Sequence, residues 1–369
     1  MKPLYTEQSL SAQTAYAQLL DAALGAERVR GFSDLQGSFN EKTVKGRKYW
    51  YFQYTEPSGK LHQLYVGPDG EPVQRLMAQK EAPSALTALG PLGRSAVALG
   101  NAAVLPRHYR VIRRLADYGF FRAGGVLIGT HAFLASGNSL GVRWGDASRT
   151  QDVDFAHAGK KLSLLLPNNV EVRTDKAIAS LEMGFLPVHG LSGKTGGTYL
   201  IPAEPEFRLD FLTPLHRGGD TPYTHPQLHV TLQPLPFMEF SLEAVEQAVL
   251  FCDEGAVLVN VPSPERYALH KLVVYGEREG SFRIKSAKDL MQAACLLSFL
   301  WEHRHDSLEA ALTDICARGK GWAARLKQGA AALQKAYPEL PAGARLVEAT
   351  TACVAKTSGG AGRTGAQAG

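Results

Sequence analysis

Cysteine is scarce: 369 residues contain only Cys252, Cys295, Cys316 and Cys353, and no two of them have a CxxC spacing. Structural zinc sites commonly use such pairs, so zinc is not expected, and the four thiols read as buried or incidental groups of a reducing cytoplasm. Long apolar runs are missing as well. None reaches membrane-spanning length, and the N-terminus lacks the basic-then-apolar pattern of a secretory signal. These absences predict a cytoplasmic protein with no membrane contact. Neither sign of charge dominates. Forty Lys+Arg against 35 Asp+Glu give a net +5, and the pI is about 8.9. That mild basic bias is compatible with a nucleic-acid partner but does not require one. An apolar content of 45% with 20% charged residues excludes a disordered chain. The length exceeds one ordinary core and predicts two or three domains.

Helical spacing over residues 7–30 puts Leu10, Tyr16, Leu19, Leu20, Ala23 and Leu24 on one face. Residues 35–71 alternate β-branched and aromatic runs with Lys-Gly, Pro-Ser-Gly and Pro-Asp-Gly, the pattern of a small antiparallel meander. A basic amphipathic helix, PRHYRVIRRLADYG, ends at Gly119. From Phe120 the spacing predicts a strand at Val126–Ile128, a tight turn at Gly129-Thr130 and a helix from about His131. After Pro264 the chain reads as helices, at 264–277, at 285–304 and on to about 350, before a low-complexity end rich in Gly, Ser and Ala. The expected organisation is a helix and β-meander module at 1–100, a catalytic core at 101–240, a helical domain at 241–352 and a disordered tail at 353–369.

Within the middle segment, TQDVDFAHAG places Asp152 and Asp154 one residue apart between apolar neighbours. Strand alternation sends both carboxylates to one face while Val153 and Phe155 face a core. Two like charges that close favour a cation between them, and oxygen ligands suit a hard divalent ion. A later strand, EFRLDFLTPL, repeats the alternation with Asp210 between Leu209 and Phe211. The Gly129-Thr130 turn opens a helix, whose N-terminal amides favour a phosphate group.

Taken in order, 128-IGT-130, 152-DVD-154 and Asp210 resemble the signature of the DNA-polymerase-β-like nucleotidyltransferase superfamily. The wording LIGTHAF, LGVRW, TQDVDFA, LDFLTP, YALHKL and KDL is similar to a bacterial group of nucleotidyltransferase-fold proteins of unestablished substrate, over roughly residues 100–300. The resemblance implies an α+β fold: a mixed sheet with helices, followed by a helical domain and preceded by the helix/meander module. It implies that Asp152 and Asp154 ligate two magnesium ions, with manganese as an alternative. Asp210 would join the catalytic metal and help activate the acceptor hydroxyl, and Gly129 and Thr130 would hold the triphosphate. Thr130 departs from the usual serine or glycine, and the gap from Gly129 to Asp152 is long for the superfamily.

The expected reaction is metal-dependent transfer of a nucleoside monophosphate from an NTP to a hydroxyl, with release of pyrophosphate. RNA or tRNA, a protein side chain and a small hydroxylated molecule all remain open as acceptor. Arg143 and Arg149, in the apparent insertion 136–150, are either phosphate contacts or solvated. Lys271, Lys285 and Lys288 are either cations for the triphosphate or ordinary helix-surface lysines, and Lys271 is the best placed. Asp289 reads as a surface partner of Lys288, Thr130 as a possible N-cap, and His131 as a local hydrogen-bonding residue. The lysines and aromatics of the meander read best as the wet and core faces of a small sheet. A rival reading keeps the fold without catalysis and uses the meander and helix 107–114 to hold nucleic acid. A metal-dependent phosphodiesterase would bring histidines to the site, and only His157 accompanies the aspartates.

Overall fold

Along β10 (Glu204–Pro214), Phe207, Leu209, Phe211 and Thr213 are buried while Arg208, Asp210 and Leu212 stay part-exposed, the period-two pattern of a strand with one covered face. The computed structural model describes residues 3–28, 37–55, 61–81, 84–145, 150–158, 171–189, 195–215, 219, 221–277 and 283–359. In it β10 is the axis of a mixed sheet. Its neighbours are β7 (Val153–Ala156) and β12 (Val230–Leu235), both parallel, and β9 (Thr195–Ile201), antiparallel. β5 (Val126–Leu127) extends the sheet beyond β7, β11 (Tyr223–His225) beyond β12, and β8 (Leu186–His189) beyond β9. Mixed sheet and flanking helices agree with the α+β expectation.

The covered face of this sheet is aromatic. Phe155 stacks on Phe211 with ring centroids 5.2 Å apart, and Phe120 meets both edge-on at 5.6 and 5.9 Å. Val153, Phe155, Leu209 and Phe211 are all fully buried, as alternation around the aspartates predicts.

A second sheet is the long hairpin β13 (Val245–Cys252) and β14 (Gly255–Pro262), and both of its faces are apolar. Ala248, Leu250 and Cys252 join the large core with α4 (Pro106–Asp117) and α5 (Gly129–Ser139). Val249 and Phe251 point the other way, into a core with Tyr16 and Leu19 of α1 (Leu10–Arg28) and with Leu89 and Ala96 of α3 (Leu89–Ala98). The N-terminal helices are therefore fastened to a hairpin far downstream in the chain, and Tyr16 OH accepts a bond from the Val249 amide at 3.2 Å. The apparent insertion after Gly129 is also structured. Ser136–Ser139 finish α5, and β6 (Val142–Trp144) pairs with β1 (Tyr5–Glu7).

The meander forms as expected, with β2 (Ser38–Val44), β3 (Arg47–Thr55) and β4 (Leu61–Pro68) in sequential antiparallel order, followed by α2 (Glu71–Glu81). The C-terminal helices are α8 (Pro264–Glu277), α9 (Arg283–His303), α10 (His305–Ala317), α11 (Lys320–Ala336) and α12 (Pro341–Gly359). The remaining short helices are α6 (Thr174–Ala179) and α7 (Met238–Leu242). Close packing of α8 on α11 depends on glycine: a Cβ at Gly329 would stand 2.2 Å from the Leu272 carbonyl oxygen. Among the described residues no helix is long and apolar enough to cross a membrane.

Two expectations are corrected here. α12 runs to Gly359, past the point at which a disordered tail was expected. Cys316 and Cys353 form a disulfide between α10 and α12, so only Cys252 and Cys295 fit the reading of the cysteines as buried free thiols. Spacing could not reveal this pair, because two helices separated by a third, and not a short motif, bring it together.

The disulfide closes a loop of 37 residues. Loop-closure entropy for that length corresponds to at most about 3–4 kcal/mol. Cys353→Ser, or reduction of the wild type, should lower the thermal midpoint by several degrees, and reduction should leave the midpoint of Cys353→Ser unchanged.

Candidate active site

β7 and β10 run parallel with Asp154 opposite Asp210, and with Val153 opposite Leu209. One residue earlier the same register sets Arg208 opposite Asp152. The face carrying Asp154 and Asp210 is the one turned away from the phenylalanine stack. Strand spacing alone brings the two aspartates to within about 5 Å at Cα. Thr198 on β9 donates to Asp210 Oδ1 at 2.5 Å. Arg208 Nε approaches Asp152 Oδ1 at 3.4 Å, so the first aspartate of the DxD has a protein cation as its partner. The three carboxylates share a face but not an environment. Among the described residues no group of three or more His, Cys, Asp or Glu side chains is arranged to hold a metal. Asp154 and Asp210 by themselves suit magnesium, which takes one or two carboxylates and keeps water or phosphate in its other positions.

Gly129 lies directly beneath Asp154. The Ile128 amide donates to the Asp154 carbonyl at 2.9 Å, which ends β5 and places the first turn of α5 beside the carboxylate. Gly129 has φ +62°, and a Cβ there would stand 2.0 Å from Asp154 Oδ2. Glycine is needed twice over, for the left-handed backbone and for the space the carboxylate fills. The helix starts at Gly129, two residues before the sequence suggests. Its N-cap is Ile128, which makes no side-chain capping bond, so Thr130 is not the cap. Thr130 is buried, and its hydroxyl accepts a long bond from Gln292 Nε2 at 3.5 Å. Of this pair only backbone amides are offered to a ligand.

The C-terminal helices grip the same loop. Tyr267 OH on α8 donates to the Gly129 carbonyl at 2.8 Å and lies 2.9 Å from Gln292 Oε1 on α9. Burial raises the Tyr267 pKa to about 12, so it remains a hydroxyl donor. Neither Tyr267 nor Gln292 stands out in the sequence, because their role exists only once α8 and α9 fold over the α5 N-terminus.

Lys271 is half-buried, and its ammonium bonds Asp289 Oδ1 at 2.7 Å. Burial is the largest influence on it and opposes its charge. Tyr267, Asp289 and Asp154 outweigh burial and hold its pKa above the ordinary lysine value. Asp289 is correspondingly buried and bonded to Lys271, not on the surface beside Lys288. Lys288 is half-buried. Burial and the Lys271 charge push its pKa down, while Asp154 and Asp152 pull against them. Arg149 lies outside the described residues, and Arg143 donates to the Gly100 carbonyl.

His157 is fully buried on the face opposite the carboxylates and donates from Nε2 to the Ala123 carbonyl at 2.9 Å. His131 makes a long-range contact, not a local one: its Nε2 lies 3.0 Å from Nδ1 of His108 on α4. Burial lowers the His108 pKa to about 4 and the His131 pKa to about 3, so both are neutral at pH 7.

Two outcomes follow from this geometry. Gly129→Ala should destabilise the fold by roughly 1–2 kcal/mol from backbone strain alone. It should also displace Asp154, visible as a lowered melting temperature and lost magnesium binding. The second outcome concerns acid. Because folded His108 and His131 have pKa values below that of an unfolded histidine, near 6.5, the unfolded state binds more protons between the two. Their contribution is complete above about pH 6.5 and is lost as pH falls towards 4 to 3. A melting series should show that loss, and His131→Gln should flatten it.

Residues 107–317 match a protein family described as nucleotidyltransferase. The chain is also similar to a solved structure, an antigenic nucleotidyltransferase-like protein from Paracoccidioides brasiliensis. That likeness covers 62% of this chain and 95% of the other, at 15% identity and a TM-score of 0.29. No curated protein matches. The family match takes in α4, the whole mixed sheet, α8, α9 and α10, which is more than half of the sequence, and the chain belongs to this nucleotidyltransferase family.

Proposed function

We propose that this protein transfers a nucleoside monophosphate from an NTP to an acceptor hydroxyl, with RNA as the favoured acceptor, and that it works with magnesium. The observation that carries this reading is Asp154 opposite Asp210 on parallel strands, beside a glycine-headed helix N-terminus that touches Asp154. Asp154 and Asp210 are the residues that would hold the first magnesium ion. When bound, magnesium (or manganese) neutralises phosphate charge and lowers the pKa of an oxygen it contacts. Asp152 would join in holding a second ion once the triphosphate draws Arg208 away from it. The Gly129 and Thr130 amides receive phosphate oxygens at the positive end of α5. Asp210 accepts the proton of the acceptor hydroxyl, with Thr198 fixing the carboxylate's orientation.

Among the cations, Lys288 is a candidate for the triphosphate because it is half-buried within the field of Asp154 and Asp152, where the phosphates would arrive. Lys271 contributes its field and a rigid α8–α9 joint, and Arg149 remains a candidate phosphate contact. Catalysis on this reading is mostly positioning and electrostatics. The non-catalytic rival loses support from α4. Arg107 pairs with Glu204 at 3.1 Å, Arg110 with Glu254 at 2.6 Å and Arg113 with Asp117 at 3.0 Å, so these charges are committed within the protein.

The test is incubation with magnesium, each α-labelled NTP and total RNA. Wild type should label RNA and release pyrophosphate. Asp154→Ala and Asp210→Asn should each lose about 100-fold or more, the scale of removing one preorganised electrostatic group. Asp152→Ala should lose less, since its carboxylate begins paired with Arg208. Undiminished transfer by Asp154→Ala would overturn the assignment, and intact NTP in every reaction, with RNA, protein and small-molecule acceptors alike, would overturn the activity.

A further inference from the structure

The meander carries a second surface. The sequence reading assigns its aromatics to a core face and its lysines to a wet face. The structure divides them otherwise. On one face Phe39, Trp50 and Phe52 pack edge-on, with ring centroids 5.5–6.5 Å apart, and Phe52 is buried. That is the core of the small sheet. On the other face Tyr49, Tyr51 and Tyr65 form a ledge, with Tyr65 6.3 Å from Tyr49 and 5.5 Å from Tyr51. The irregularity between Trp50 and Tyr51 shifts the register so that Tyr65 falls opposite Tyr51. Lys42 Nζ lies 4.6 Å over the Tyr51 ring and bonds Gln63 at 2.6 Å. Gln63 in turn bonds Gln53 at 3.1 Å, and Asn40 bonds the same residue.

This is an exposed surface. Tyr65 is 58% accessible, and among the described residues no meander side chain joins the hydrophobic clusters of the main body. A tyrosine at that exposure contributes little to folding, so its conjunction with two more tyrosines, amides and a lysine calls for a ligand. The adjoining β2–β3 hairpin, turned at Lys45 (φ +50°) and Gly46 (φ +75°), carries Lys45, Arg47 and Lys48. Its local acid, Glu41, is taken by Lys48 at 2.9 Å. The end of the sheet is therefore positive beside a ledge of three tyrosines, Tyr65 exposed and Tyr49 and Tyr51 half-buried, with the Tyr65 ring tilted 46° to Tyr49 and 60° to Tyr51.

We infer that this ledge binds a single strand of nucleic acid. Tyr49, Tyr51 and Tyr65 stack on bases, the side-chain amides meet base edges, and Lys42, Lys45 and Arg47 meet phosphates. Aromatic rings accept the face of any base, and the cations follow the backbone. A duplex hides those base faces. An acidic peptide would use the cations and leave the tyrosines idle. The inference deepens the proposal above by naming how an RNA acceptor is held, but it concerns binding alone. Its test contains no NTP, so a protein that transfers nothing still reports on it.

The experiment is fluorescence anisotropy on the full chain with a labelled single-stranded RNA of about 12 nucleotides. DNA of the same sequence, the duplex and a polyglutamate competitor are run beside it. Both single strands should bind, the duplex less well, and affinity should fall as salt rises. Tyr65→Ala should weaken binding about 5-fold or more with an unchanged melting temperature. Lys45→Ala/Arg47→Ala should reduce the slope of log K against log salt by roughly 1 to 2. Tighter binding of RNA than of DNA would support its use for the acceptor, and equal binding would overturn that use while upholding the single-strand site. No single-strand binding at about 50 mM salt, or equal binding by Tyr65→Ala, would overturn the site. Polyglutamate competing as strongly as RNA would also overturn it, in favour of an acidic protein partner.

Discussion

Two carboxylates held opposite each other on parallel strands set the terms for the catalytic half of this structure. Asp154 and Asp210 stand opposite each other on one face, and like charges on neighbouring strands repel. Paired strands would not keep that arrangement unless the other face held them in place. It does, because Val153, Phe155, Leu209 and Phe211 are fully buried beneath the aspartates, and each such side chain contributes roughly 1.5–3 kcal/mol. A slip of one residue would put the carboxylates in the phenylalanine stack and the phenylalanines in solvent. The aromatic underside therefore enforces the register that the chemistry of the upper side requires.

From that constraint the neighbouring choices follow. Asp154 fills the space where a side chain at position 129 would go, so the strand-to-helix turn must begin with glycine. The turn is anchored by Tyr267 and Gln292 from helices more than 130 residues downstream, which ties the C-terminal bundle to the Gly129 turn beside Asp154. Lys271 and Asp289 pin those two helices together, a half-buried ammonium on a buried carboxylate.

The rest of the architecture serves to hold this centre. The β13–β14 hairpin is apolar on both faces and joins the N-terminal helices to the sheet. The Cys316–Cys353 bond joins the last helix to the bundle. The meander stands apart, with its own small core on one side and its tyrosines on the other.

Much of the centre was legible in the sequence, because alternation and glycine usage are local. Val153-Asp154-Phe155 and Leu209-Asp210-Phe211 announce strands with one polar face, and Gly129-Thr130 announces a turn into a helix. Helix 264–277 is readable from its apolar spacing alone. The sequence also determined which residues could bear the chemistry. Tertiary structure decided their circumstances, since a side chain's partners come from other strands and helices. It set Asp154 against Asp210, gave Asp152 to Arg208 and Asp289 to Lys271, and turned Thr130 inward to Gln292. It drew His108 to His131 and gathered three tyrosines on one face of a small sheet, with Tyr65 in solvent. Spacing along a chain encodes which face a residue takes, whereas what meets that face depends on contacts between segments far apart in sequence.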